Sequence, residues 1–216
     1  MISIIKRSLL LFPWIKDYYG FRQSLTNHVP TIDYVRFKLF NKLRGGGVYW
    51  PIHRTTEVTH PNNIFVGINS NAGTRPGCYL QGNGGIYIGN YVHFASNIGV
   101  ISGNHDLYDQ TKHINEEVRI GDYTWIGMNV VILPGVVLGP RTIVGAGSVV
   151  TRSFPDGYCV IAGNPARLIK ELDKDKFIPT QFKSEYFGFV PKNKFMSFAN
   201  KRLKNNKYYP FTDIIG

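Results

Sequence analysis

Residues 120–155 read IGDYTW, IGMNVV, ILPGVV, LGPRTI, VGAGSV and VTRSFP, six consecutive six-residue units without a slip. Each opens on an aliphatic residue (Ile120, Ile126, Ile132, Leu138, Val144, Val150), and four of the six place Gly second. The fifth place holds Thr124, Val130, Val136, Thr142, Ser148 and Phe154, mostly small or β-branched. The same register runs earlier through IGNYVH, FASNIG and VISGNH, residues 88–105, and survives faintly upstream at Ile52, Val58 and Ile64. A period of six is a multiple of two, so it suits short strands rather than a 3.6-residue helical repeat. The aliphatic residues are expected to stack inward, with the small second residues at corners where a Cβ would crowd the backbone. Such a repeat marks a parallel β-helix, each coil burying its face only against its neighbours.

The register breaks once. Units end at His105 and resume at Ile120, so residues 106–119 are expected to be an excursion. That stretch carries Asp106, Asp109, Lys112, His113, Glu116 and Glu117 and is too polar for core. Loops thrown out from a rigid scaffold are where function concentrates.

The 216 residues divide into three expected parts: an extension over 1–50, a repeat domain over 51–169 and a tail over 170–216. In the first, YVRFKLFNKLR (34–44) followed by Gly45, Gly46 and Gly47 predicts an amphipathic helix with a glycine stop. It is placed to cap the first coil, whose open end is an exposed edge, or to rest on an anionic membrane. The tail alternates Lys with aromatics, namely Phe177, Phe182, Tyr186, Phe187, Phe189, Phe195, Phe198, Tyr208, Tyr209 and Phe211. That pattern predicts packing onto a neighbouring surface or a ligand cleft. The net charge of +11 resides wholly in the ends, with +6 in residues 1–50, zero in 51–169 and +5 in 170–216. Basic ends favour anionic partners or are simply solvated; without a recognisable module, nucleic acid is not expected.

Cys78 and Cys159 lie far apart, neither a disulfide framework nor a CxxC metal site, so a reducing cytoplasm is expected. No apolar run approaches the roughly 18 to 20 residues of a membrane span. At the start, Lys6 and Arg7 interrupt the apolar run and no A-x-A-like site follows, so a secretory signal is not expected.

The motifs IGDYTWIG (120–127), VGAGSVV (144–150) and AGNPAR (162–167), with SGNHD at 102–106, resemble the hexapeptide-repeat acyltransferases, among them galactoside, maltose and polysaccharide O-acetyltransferases. The resemblance covers about Ile86 to Lys170. It implies a left-handed parallel β-helix, a homotrimer with active sites between subunits, and acetyl-CoA lying along the groove between neighbouring β-helices. It also implies His105 as the catalytic base; a neutral imidazole suits removal of a hydroxyl proton near working pH. Either Asp109 or a main-chain carbonyl would orient the ring, Asp106 pointing apart as its sequence neighbour.

The same resemblance points to the Met128 N–H as oxyanion donor and to Trp125 on the acceptor side. His93, Asn83 and Asn97 are further acceptor-side residues, although Asn is equally at home in coil corners. Ala146, Thr151, Arg152, Arg167 and Lys170 follow the relatives' pantetheine and nucleotide track, the cations suited to CoA phosphates. His113 has no counterpart and is read as exposed loop. The expected reaction is O-acetylation of a sugar hydroxyl on a bacterial surface polysaccharide or its precursor. A small free acceptor is the enzymatic alternative. A zinc enzyme of the carbonic-anhydrase-like β-helix type would need three interface histidines, and no metal is expected. A scaffold that keeps only the fold is the non-catalytic alternative.

Overall fold

The computed structural model describes residues 48–180 and 182–202. The helix expected over 34–44 and the aromatics Tyr208, Tyr209 and Phe211 lie outside the described residues.

The chain winds through successive coils of very short strands. The first coil holds β1 (Glu57–Thr59) and β2 (Ile64–Val66). The second holds β3 (Tyr79–Gln81), β4 (Ile86–Ile88) and β5 (His93–Phe94). The third begins with β6 (Gly99–Ile101), leaves the stack as a hairpin of β7 (Gly103–His105) and β8 (His113–Asn115), then returns through β9 (Val118–Ile120) and β10 (Trp125–Ile126). The fourth is β11 (Val131–Ile132), β12 (Val137–Leu138) and β13 (Ile143–Val144); the fifth is β14 (Val149–Val150) and β15 (Cys159–Gly163). Like strands stack in parallel into three faces: β1, β3, β6, β11 and β14 form the first, β2, β4, β9 and β12 the second, and β5, β10, β13 and β15 the third. This three-faced parallel β-helix is the architecture that the period of six predicts.

The inward ladder is the core. Ile120, Ile126, Ile132, Leu138, Val144 and Val150 are each at most 1% exposed, and each buried aliphatic side chain contributes about 1.5 to 3 kcal/mol. The fifth-place residues Thr124, Val130, Val136, Thr142 and Ser148 are equally buried. Their hydroxyls are satisfied locally, as where Thr142 Oγ1 donates to the Gly139 carbonyl at 2.8 Å. Corner glycines answer to crowding: a Cβ on Gly121 would lie 2.6 Å from the Gly139 carbonyl carbon, and one on Gly127 2.7 Å from the Ala146 nitrogen.

The excursion differs from its expected bounds. It leaves at Gly103, three residues before Asp106, and the second face resumes at Val118. Val118 pairs in register with Ile86, Ile120 with Ile88, and both Val118 and Ile120 are fully buried. In a three-residue strand both ends face inward, so Val118 is core although the six-residue count starts at Ile120.

Open edges of the first coils are closed by side chains that imitate backbone. The Tyr49 hydroxyl donates to the Val66 carbonyl (2.9 Å) and accepts from its N–H (2.7 Å). Asn71 stands where the third face would have a first strand; its Oδ1 accepts from Phe94 N–H (2.6 Å) and its Nδ2 donates to Phe94 O (3.3 Å).

Beyond β15 the chain doubles back as β16 (Ala166–Glu171), antiparallel to it. A strap then returns toward the first coil along the corner between the second and third faces. Phe177 packs edge-on to Tyr123 and Tyr158 and lies under the Arg141 guanidinium at 4.8 Å. Phe182 stacks on Tyr91, which stacks on Tyr123. The strap ends in a two-strand turn, β17 (Tyr186–Phe187) with β18 (Val190–Pro191), followed by helix α1 (Lys192–Arg202). Phe187 bridges to Ile68, and Phe195 stacks on Phe187 with centroids 3.9 Å apart and meets Tyr49 at a tilt with centroids 5.5 Å apart. The described tail aromatics therefore lie against the chain's own coils. No helix among the described residues is long and apolar enough to cross a membrane.

Candidate functional site

The hairpin that carries His105 is fixed at its root by a buried serine. Ser102, fully buried, donates from Oγ to the Gln81 carbonyl (2.5 Å) and accepts from the N–H groups of Gly84 (3.0 Å) and Gly85 (3.2 Å). The Gln81 side chain accepts from Gly103 N–H at 3.1 Å, and Glu116 N–H donates to Ser102 O at 3.0 Å. The outgoing leg is thus tied to the second coil, and the returning leg to the outgoing one.

His105 is exposed at the end of β7. Its Nδ1 lies 2.7 Å from the Gln110 carbonyl oxygen. A carbonyl only accepts, so the proton resides on Nδ1 and Nε2 presents a free lone pair. The orienting group is therefore main chain. Both nearby acids are otherwise engaged. Asp106 accepts from the N–H groups of Tyr108 and Asp109, each at 2.9 Å, and these bonds hold its carboxyl below the usual range. Asp109 accepts from the Thr111 hydroxyl (2.6 Å) and N–H and pairs with Lys112 at 3.1 Å, again lowering its carboxyl.

His113, read from sequence as exposed loop, is exposed but belongs to a strand. β7 and β8 pair so that His105 faces His113, with ring centroids 4.5 Å apart and planes tilted by 45°. Hairpin register, which the sequence left unspecified, makes this pair. Asn115 was likewise missed. Its Oδ1 and the Asn83 side chain flank Gly103, where a Cβ would meet them at 2.5 Å and 3.0 Å. Asn83 is therefore at the hairpin root.

The other residues fall elsewhere on the prism. Trp125, 54% exposed, stands on the third face between His93 and Ile143, its partners in register. His93 is half-buried; burial first, then the Arg141 charge, hold its imidazole below the usual range, so it is neutral at pH 7. Asn97, Met128 and Ala146 lie on the corner between the third and first faces. Asn97 takes the left-handed conformation at φ 58° and donates to Asn129 Oδ1 at 3.1 Å. Met128 accepts from Gly147 N–H at 2.8 Å, while its own N–H has no partner among the described residues.

Thr151 and Arg152 follow β14 on the hairpin's corner, Arg152 over the Phe154 ring at 5.2 Å. Arg167 and Lys170 are exposed on β16, and Lys170 lines a pocket of about 300 Å³ with Arg141, Tyr158, Lys176 and Phe177. Within one chain, His105 with Asn83 and the Met128 N–H with Ala146 occupy corners separated by the first face. Among the described residues no group of three or more His, Cys, Asp or Glu side chains is gathered that could hold a metal ion.

Residues 117–152 match the family model described as bacterial transferase hexapeptide (six repeats). The galactoside O-acetyltransferase of Escherichia coli (strain K12) is 38% identical over 96 residues, covering 42% of this chain and 47% of that protein. The chain spans about half the length of such curated relatives. A maltose O-acetyltransferase structure from Clostridium difficile 630 matches at 27% identity with a TM-score of 0.52, over 74% of this chain and 89% of that one. A hexapeptide-repeat acetyltransferase from Vibrio cholerae O1 biovar eltor, complexed with acetyl coenzyme A, matches at 25% identity with a TM-score of 0.53, over 72% and 86%. Residues 117–152 thus carry the bacterial transferase hexapeptide repeat, and the chain shares the fold of the hexapeptide-repeat acetyltransferases it resembles.

Proposed function

We propose that the protein is an acetyl-CoA-dependent O-acetyltransferase acting on a sugar hydroxyl of a bacterial surface polysaccharide or its precursor. The observation that carries this reading is the 2.7 Å contact of His105 Nδ1 with Gln110 O, which in the neutral ring leaves Nε2 as proton acceptor. That nitrogen takes the hydroxyl proton as the sugar oxygen attacks the thioester carbonyl. The tetrahedral oxyanion is met by a backbone donor, and the Met128 N–H, which has no partner among the described residues, is suited to the task. Collapse expels the CoA thiolate, which takes the proton back from the imidazolium.

The corner separation of His105 and Met128 favours a homotrimer, in which one subunit's hairpin faces the neighbour's third-to-first corner. Trp125, His93, Asn83 and Asn97 would then contact the acceptor. Ala146, Thr151 and Arg152 would follow the pantetheine, with Arg167 and Lys170 at the nucleotide phosphates. Acetyl-CoA as donor favours a cytoplasmic reaction, and the basic terminal segments suit acidic glycans or the anionic inner membrane face.

Free-thiol release from acetyl-CoA, with and without candidate glycans, tests the proposal. Glycan-stimulated release that vanishes in His105→Ala supports it; unchanged release in that variant removes His105 as base. A small free acceptor is the second reading, favoured by the match to enzymes named for galactoside and maltose. Transfer to monomeric sugars alone would select it.

A further inference from the structure

We infer that His113 is a positioning residue for His105, holding the base's ring against the hairpin so that Nε2 keeps one direction. This rests on the reading of His105 as base and adds to it a residue with no counterpart in the motifs that carry the resemblance.

Three observations support it. The hairpin pairs Gly103 with Asn115, Asn104 with Ile114 and His105 with His113, so the two imidazoles leave the same face side by side. Their centroids are 4.5 Å apart, the one aromatic contact of His105 among the described residues. The hairpin's other large side chains give no support, since Leu107 and Tyr108 at its tip are 90% and 98% exposed.

A single hydrogen bond from Nδ1 to Gln110 O leaves an exposed ring free to swing about that bond. A ring packed beside it removes that freedom before the acceptor arrives, which is where orientation lowers a barrier. No hydrogen bond joins the two rings among the described residues, so the contact is packing. The proton transferred in the reaction stays with His105.

The test uses full-length protein labelled with 15N-histidine, comparing native, His113→Ala and His113→Phe chains, with His105→Ala identifying the His105 ring signals. Native and Phe chains are expected to show a rigid His105 ring by 15N relaxation and the Ala chain a mobile one, with the Nδ1–H tautomer kept by Gln110 O in all three. In steady-state acetyl transfer the Ala variant is expected to lose about tenfold in kcat with the acetyl-CoA KM unchanged, and Phe to recover to within about threefold. An Ala variant with native ring relaxation and native kcat overturns the inference, as does a Phe variant that behaves like Ala. If His105→Ala turns over normally, the base assignment itself falls. If that variant is dead while His113→Ala is native, only the positioning role is lost.

Discussion

Ser102→Ala is the sharpest probe of how the coil aims its hairpin. Three hydrogen bonds converge on this buried hydroxyl. Gln81 O keeps a partner after the substitution, because Ser102 N–H also donates to it at 3.2 Å. Gly85 N–H loses its Ser102 Oγ acceptor, and Gly84 N–H loses that bond too. Gly85 is buried and Gly84 half-buried, and a buried donor left without a partner costs about 1 to 3 kcal/mol. The buried Gly85 donor sets the total, expected at about 1 to 3 kcal/mol.

The assay is urea unfolding followed by tryptophan fluorescence at fixed protein concentration, alongside acetyl-CoA turnover. Activity is expected to fall about tenfold or more, since loss of the root pivots His105, and a displacement near 1 Å costs about a hundredfold in such geometry. Ser148→Ala is the control. That equally buried hydroxyl serves Gly145 O (2.6 Å) and Gly163 N–H (3.1 Å), far along the stack from the hairpin. It is expected to lose about 1 to 2 kcal/mol and keep native kcat. If Ser102→Ala costs under about 0.5 kcal/mol, or costs stability with no loss of kcat, the reasoning is refuted.

Asn71→Leu keeps volume but strips the edge of the third face, and is expected to lower the unfolding free energy by about 2 to 3 kcal/mol, read by denaturant titration. Tyr91 and Glu185 share a 2.5 Å hydrogen bond that lowers the Glu185 carboxyl and, with burial, raises the Tyr91 phenol. A lowered acid stabilises above its ordinary value and loses that contribution as pH falls; a raised phenol stabilises below its ordinary value and loses it as pH rises. Thermal melting should therefore weaken below pH 4.5 and above pH 10, and Tyr91→Phe should flatten both limbs, modestly because Glu185 is 35% exposed. Arg167→Ala combined with Lys170→Ala should raise the acetyl-CoA KM about tenfold at low salt with kcat unchanged, the difference shrinking as salt rises.

The repeat was legible because its information is local: a six-residue count over 120–155 reports which residues face inward without any distant contact. The same locality explains the misplaced edge of the excursion. Val118 is core through its pairing with Ile86, 32 positions away, and no periodic count carries that. His105 was legible through the SGNHD segment, yet its partner His113 depends on where a hairpin turns. The Asp106 and Asp109 side chains that build that turn read from sequence only as polar residues. Gln110 was unreadable in principle, because its contribution is a carbonyl that every residue possesses.

The return of the strap changes what kind of object the stack is. An open solenoid can fray from either end, each coil depending on its neighbours alone. Here the Asn69 Oδ1 accepts from Tyr186 N–H across 117 positions, and Asn69 N–H donates to Tyr186 O. A segment late in the chain is thereby required by the first described coil. Such sequence-distant pairing raises contact order and slows folding. Removing residues 186–202 should accordingly unravel the beginning of the prism rather than its end, with hydrogen exchange rising first around Tyr49, Phe65 and Ile68.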